Sequence, residues 1–236
     1  FSFGPWNIHT GADPFGPEVR KAVPFARKVR LCRELGFQAM QFHDDDAVLN
    51  PEKKSSSQVT KEAAKVRKIL EDEGLAAEFV APRLWENPLG IDGGYTANEA
   101  KVRRWAIDRS KKAIDIARGL GTKMIVLWLA REGTYLRESK NSLDSHRYLL
   151  DAINAQLAYD GEIEIAIEPK PNEPTDHAYV PTVGHALALG AASADPSRVG
   201  GLIETAHAIL AGLDPSDEMA FALSLGKLWG VHLNDQ

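Results

Sequence analysis

Short apolar runs and longer amphipathic stretches alternate along the whole chain. Ile163, Ile165 and Ile167 are β-branched residues at alternate positions, which marks a strand, and Pro169, Pro171 and Pro174 cannot continue it. That strand therefore ends at Glu168. Six other runs read as strands: Phe1–Ile8, Phe37–Phe42, Ala76–Val80, Lys123–Trp128, Val199–Ile203 and Trp229–Leu233. Helical spacing fills the gaps between them. Val29, Cys32 and Leu35 share one face of a helix begun at Pro24 and closed by Gly36, and Val59, Ala63, Val66 and Leu70 share another that stops at Gly74. A long helix from about Asn98 to Leu120 turns Ile107, Ile114 and Ala117 inward, and Leu149, Ile153 and Leu157 recur at four-residue intervals before Asp160-Gly161. Pro181 opens a further helix, and a short helical segment spans Met219 to Leu225.

Strands that are near-continuously apolar and alternate strictly with helices predict a parallel sheet covered by helices. Seven such units favour a closed (β/α)8 TIM barrel over an open doubly wound sheet, and no glycine-rich phosphate fingerprint follows the first strand. An eighth strand is not among the predicted elements, and an open seven-stranded sheet would leave two bare edges. The expectation is one domain over residues 1–236, a barrel lacking its eighth strand and C-terminal region, cut before its natural end.

Composition narrows the partners. A chain of 236 residues with 44% hydrophobic and 26% charged residues is an ordinary globule, and no run is long enough to span a bilayer. The net charge of -5 gives no basic footprint, which argues against nucleic acid and for a small ligand. The single cysteine, Cys32, forms no intrachain disulfide and suits a reducing, cytoplasmic location, with core packing as its role. The opening at Phe1 without a methionine is compatible with a removed leader.

In a (β/α) barrel the chemistry sits at the C-terminal ends of the strands. There the sequence places His43 and Asp46, Trp85, Trp128, Glu168 and Lys170, Glu204 and His207, and finally His232 with Asp235. Carboxylates and imidazoles converging on one point call for a cation to hold them. Glu204 and His207, three apart at a helix start, share a face and can share a metal, although a helix-start Glu is more often a dipole-stabilising first-turn acid. His43 with Asp46 reads either as a functional pair or as a local hydrogen bond beside a solvated acidic run. Trp85 and Trp128 read as core or as the apolar flank of a sugar pocket. His146, His177 and His185 are assigned no role.

Several local stretches coincide with one family. Phe1-Ser-Phe-Gly-Pro-Trp6, Phe42-His-Asp-Asp-Asp46, Asp92-Gly-Gly-Tyr-Thr-Ala-Asn98, Arg131-Glu-Gly133, Ile167-Glu-Pro-Lys-Pro-Asn-Glu-Pro174 and Pro181-Thr-Val-Gly-His-Ala-Leu187 occur in the order of xylose isomerase, and the chain resembles that family over essentially its whole length. The resemblance implies a homotetrameric barrel that interconverts an aldose and a ketose, D-xylose and D-xylulose first among them, with two divalent cations, Mg or Mn, or Co. By position Glu168 and Glu204 match metal ligands, Glu204 bridging both ions, and His207 a ligand of the second. Lys170 matches the residue that holds the reacting oxygens of the sugar, and His43, oriented by Asp46, the group that assists ring opening. Trp6, Trp85 and Trp128 match pocket walls, Trp85 standing where the family usually has Phe. Phe15 matches an aromatic that reaches into a neighbouring subunit.

The chemistry agrees with such roles. Ring opening needs proton transfer near neutral pH, which imidazole supplies, and moving hydrogen between adjacent carbons builds negative charge that cations and Lys170 can stabilise. Two departures stand out. His232 occupies the position of a family Asp ligand, as it does in related barrels with isomerase or epimerase activity, and an imidazole there would favour Mn, Co or Zn over Mg. The family's remaining acidic ligands lie beyond Gln236. Two other readings stay open: a sugar or polyol epimerase or lyase of the same superfamily, and a non-catalytic shortened barrel.

Overall fold

The computed structural model describes residues 1–11 and 17–234, so Phe15 and Asp235 lie outside the described residues. The chain divides into two compact units, one formed by Phe1–Ala81 with Lys112–Lys123 and the other by Pro82–Lys111 with Met124–Gln236.

In the first unit three parallel strands alternate with helices: β1 (Ser2–Phe3), α1 (Phe25–Glu34), β2 (Ala39–His43), the single-turn helix α2 (Asp44–Ala47), α3 (Ser56–Asp72) and β3 (Ala76–Ala81). Ser2 pairs with Ala39, and Ala39 in turn with Ala76. The predicted strand Phe1–Ile8 is thus only two residues long. Pro5 cannot donate to a ladder, and from it the chain winds into a 3-10 turn, Pro5–Asn7. The acidic run after β2 forms a helical turn in which Asp44 is buried rather than solvated, and three carboxylates in a first turn favour the positive end of even a short helix. Helix α3 is started by Ser55, whose hydroxyl accepts from the Gln58 amide while the Gln58 side chain accepts from Ser55 N–H. Its inner face buries Val59, Ala63 and Leu70, and α1 buries Val29 and Cys32. Cys32 is core, as expected, and burial pushes its thiol pKa up.

Helix α4 (Ala100–Leu120) crosses from one unit to the other. It ends at Gly121, whose φ of +83° is a conformation that side chains resist.

In the second unit the strands are β4 (Met124–Trp128), β6 (Glu164–Glu168), β8 (Val199–Glu204) and β9 (Leu228–His232), all parallel to their neighbours. The connections carry α5 (Ser142–Tyr159), α6 (Val183–Ala192), α7 (Thr205–Leu210) and α8 (Pro215–Ser224). Ile165 and Ile167 in β6 are fully buried, each burial contributing roughly 1.5–3 kcal/mol of transfer free energy. Val183, Ile203 and Ala222 pack with Leu187, Met219 and Leu228, which fastens α6 and α8 to β8 and β9. Helix α8 starts earlier than its apolar pattern suggests, because Asp214 accepts from Ser216 N–H and caps it ahead of Pro215. An antiparallel pair absent from the sequence reading, β5 (Gly133–Thr134) with β7 (His177–Ala178), joins the loops after β4 and β6. Among the described residues no helix is long and apolar enough to cross a membrane.

Candidate metal and sugar site

Register brings the strand-end residues of the second unit together. Trp128 at the end of β4 pairs with Glu168 at the end of β6, and Glu204 at the end of β8 pairs with His232 at the end of β9. Glu204 then opens α7, and the helical step of three residues returns His207 to the same face. Among the described residues, Glu168, Glu204 and His207 each offer a ligand atom within 4.8 Å of the others. His207 Nε2 lies 3.0 Å from Glu204 Oε1, and its Nδ1 lies 3.1 Å from the Pro169 carbonyl oxygen, which fixes the ring plane. His232 Nδ1 stands 3.6 Å from Glu168 Oε1 and 3.9 Å from Glu204 Oε2.

The electrostatics are those of a crowded buried cluster. Burial pushes the Glu204 carboxyl up to about 7, helped by the charge of Glu168. For Glu168, burial also acts upward, but the imidazole of His232, with that of His207, more than offsets it and holds the carboxyl below its usual range. Burial, against the pull of Glu168, lowers His207 to about 4, so its imidazole is neutral at physiological pH and able to ligate. The two carboxylates and His207 form a donor set that fits a divalent cation, and His232 stands beside both carboxylates as a further nitrogen donor.

Lys170 follows two residues after Glu168 and is buried, its Nζ 5.4 Å from the centre of the Trp128 ring and 3.8 Å from a Glu173 carboxylate oxygen. Trp85 meets Trp128 edge to face at 4.4 Å, and Trp128 stacks at 6.4 Å over His207. The expected metal ligands, the lysine and two of the expected tryptophans therefore surround one locus in the second unit. In the first unit His43 and Asp46 pair as expected. Asp46 Oδ2 accepts from the His43 backbone N–H at 3.1 Å and stands 3.0 Å from Nδ1, which directs proton exchange to Nε2. Trp6 packs against this imidazole, ring centroids 4.3 Å apart.

Two contributors went unseen. Asn234 donates to Glu204 Oε1 at 3.1 Å, and its carbonyl accepts from Thr205. Glu132 was visible only as part of a motif. Its buried carboxylate gathers the backbone of Gly94, Tyr95 and Thr96, and the paired glycines before it in sequence are the signal that this loop wraps a side chain.

A parallel strand-helix chain with acids and imidazoles at its strand ends defines a class: a TIM-barrel-like protein with a metal-capable centre. Residues 29–236 match the family model described as xylose isomerase-like TIM barrel, and the chain belongs to that family. Among solved structures it is similar to D-psicose 3-epimerase determined in the presence of D-fructose, at 16% identity and a TM-score of 0.65, over 90% of this chain and 68% of that one. It is similar also to 3-keto-D-glucoside 4-epimerase YcjR from E. coli, at 15% identity and a TM-score of 0.68, over 95% of this chain and 77% of that one. L-ribulose 3-epimerase matches at 16% identity and a TM-score of 0.66, over 99% of this chain and 69% of that one. At these identities the likeness is one of fold.

Proposed function

We propose that the protein is a metal-dependent sugar isomerase that interconverts an aldose and its ketose, D-xylose and D-xylulose being the first pair to test. The observation that supports this reading is the cluster of Glu168, Glu204, His207 and His232 beside the buried ammonium of Lys170. The four donors would hold a divalent cation, Mn or Co suiting the imidazoles better than Mg, and when bound it supplies Lewis-acid stabilisation of charge on the sugar oxygens. Glu204 as a bridge between two such ions, a homotetrameric assembly and a cytoplasmic location belong to the same proposal.

The residues divide the work. To His43, held by Asp46, the proposal assigns ring opening: Nε2 relays a proton between the anomeric hydroxyl and the ring oxygen. Hydrogen then leaves C2 for C1 while the proton of the C2 hydroxyl moves to O1, so the product is an isomer and no external oxidant is consumed. Lys170 donates to the oxygen on which negative charge develops. Trp128 and Trp85 offer an apolar flank to the carbons of the sugar, and Trp6 supports the imidazole.

A second reading, epimerisation at one carbon of a ketose, is favoured by His232 in place of an acid and by the epimerases among the fold neighbours. Incubating the purified protein with Mn and a panel of aldoses and ketoses in heavy water, with products read by NMR, separates the two. Isomerisation by hydrogen transfer keeps solvent deuterium out of the product carbons; epimerisation by removal and return takes it in. Chelation with EDTA should abolish turnover, and His43→Asn or Lys170→Met should each lower it by about 100-fold or more. Turnover that survives chelation or both substitutions would defeat the proposal.

A further inference from the structure

Within the second unit the loops after β3, β4 and β6 are knitted together by one side chain, that of Glu132. It is 3% exposed, and both carboxylate oxygens are doubly engaged: Oε1 accepts from Gly94 N–H at 2.8 Å and Tyr95 N–H at 3.0 Å, Oε2 from Thr96 N–H at 2.8 Å and Thr96 Oγ1 at 2.7 Å. The chain can come this close only with glycine. At Gly93 φ is +86°, and an added Cβ would stand 2.7 Å from Thr96 Oγ1 and 3.1 Å from Glu132 Oε2. The Glu132 carbonyl accepts from Tyr179 N–H at 2.9 Å, and the next residues pair as β5 with β7. Lys140, its side chain 1% exposed, closes the knot by donating to the carbonyls of Asp92 and Gly133.

Two threads lead from this knot to the sugar site. Arg131, the neighbour of Glu132, donates from Nε to the Trp85 carbonyl at 2.8 Å, and Trp85 sets its ring against Trp128. Past the end of β7 the chain reaches Val180, whose carbonyl accepts from Lys170 N–H at 3.1 Å, while Ala178 N–H donates to the Pro171 carbonyl at 3.2 Å. Lys170 stands beyond the end of β6, so this backbone ladder fixes where its ammonium begins.

We infer that Glu132 is a positioning residue for sugar recognition: it touches no reacting atom, and it sets Trp85 and Lys170 at once by holding three loops in register. The inference rests on the proposed sugar site, and it separates cleanly from the cation cluster, whose ligands are carried by strand ends and α7.

Glu132→Gln keeps size and shape but turns one of the two acceptor oxygens into an NH2 donor that faces at least one backbone N–H. For this variant we expect kcat/KM for the sugar to fall about 10- to 100-fold, chiefly through KM, with Mn affinity by calorimetry within about twofold of the parent. The Trp85–Trp128 edge contact should give an exciton couplet in circular dichroism, defined as the signal lost in Trp85→Phe, and Glu132→Gln should lose it too. Thr96→Val, which removes one of four hydrogen bonds and leaves the loop glycines intact, serves if Glu132→Gln does not fold, and should weaken the couplet and raise KM in the same sense. A couplet and KM both unchanged in the folded variant overturn the inference, as does a parallel loss of Mn affinity. Because the couplet and the cation titration are read without turnover, a failure of the proposed reaction leaves this test intact.

Discussion

If Glu168, Glu204, His207 and His232 hold one cation, binding must displace the proton that Glu204 carries. That carboxyl titrates at about 7, whereas Glu168 lies below the usual carboxylate range and His207 at about 4, so above pH 5 Glu204 is the member of these three that must lose a proton. The proton released by Glu204 per cation is then about 0.9 at pH 6, about 0.5 at pH 7 and about 0.1 at pH 8. The apparent affinity follows: about tenfold weaker at pH 6 than at pH 8, and approaching 100-fold weaker at pH 5. Titration calorimetry with Mn in two buffers of different ionisation enthalpy reads both quantities. Glu204→Gln supplies the control, since it should bind more weakly yet lose this part of the pH dependence. An unchanged proton count in Glu204→Gln would refute the reasoning, as would an affinity in the parent that is level from pH 6 to 8.

The metal-free protein carries a related signature. Glu204 is raised, so its contribution to stability is present below about 4.5 and is lost as pH rises through about 7; His207 is depressed, so its contribution is present above about 6.5 and is lost as pH falls through about 4. Between pH 4.5 and 6.5 the two slopes oppose, each about 2 kcal/mol after allowance for solvent screening, and urea midpoints should be nearly level there, whereas Glu204→Gln should gain stability with rising pH. A steep rise with pH in the parent over that interval would contradict the opposition. In the core, Ile165→Ala in β6 should cost about 2–5 kcal/mol in urea unfolding, because a fully buried side chain between covered faces leaves a cavity; a cost under about 1 kcal/mol would mean the strand is not packed on both sides.

The strand ends were legible because chain punctuation and chemistry coincide there. Prolines after Glu168 announce where β6 stops, and a charged residue placed at that point needs a partner, so Glu168, Lys170, Glu204, His207 and His232 could all be chosen from sequence. Boundaries decided by backbone geometry were less visible: Phe1–Ile8 has strand composition, but Pro5 diverts it after two paired residues. The β5–β7 pair is two residues on each side, too short for any alternation to register. Glu132 escaped for a different reason. Three of its four partners are backbone N–H groups, which every sequence has, so the loop glycines hint at a wrapped side chain without saying which one.

Two kinds of rigidity follow from this arrangement, and they should respond to different substitutions. The proposed cation ligands are set by β-ladder register, Trp128 against Glu168 and Glu204 against His232, and a one-residue slip would move every side chain of the strand to the other face. Lys170 and Trp85 lie past the strand ends, where no ladder of the main sheet reaches, and their positions depend on loop backbone held by Glu132, Arg131 and the β5–β7 pair. On the proposed function, a loop substitution should therefore move sugar preference while leaving cation affinity unchanged, which calorimetry with Mn beside kinetics on a panel of sugars would check.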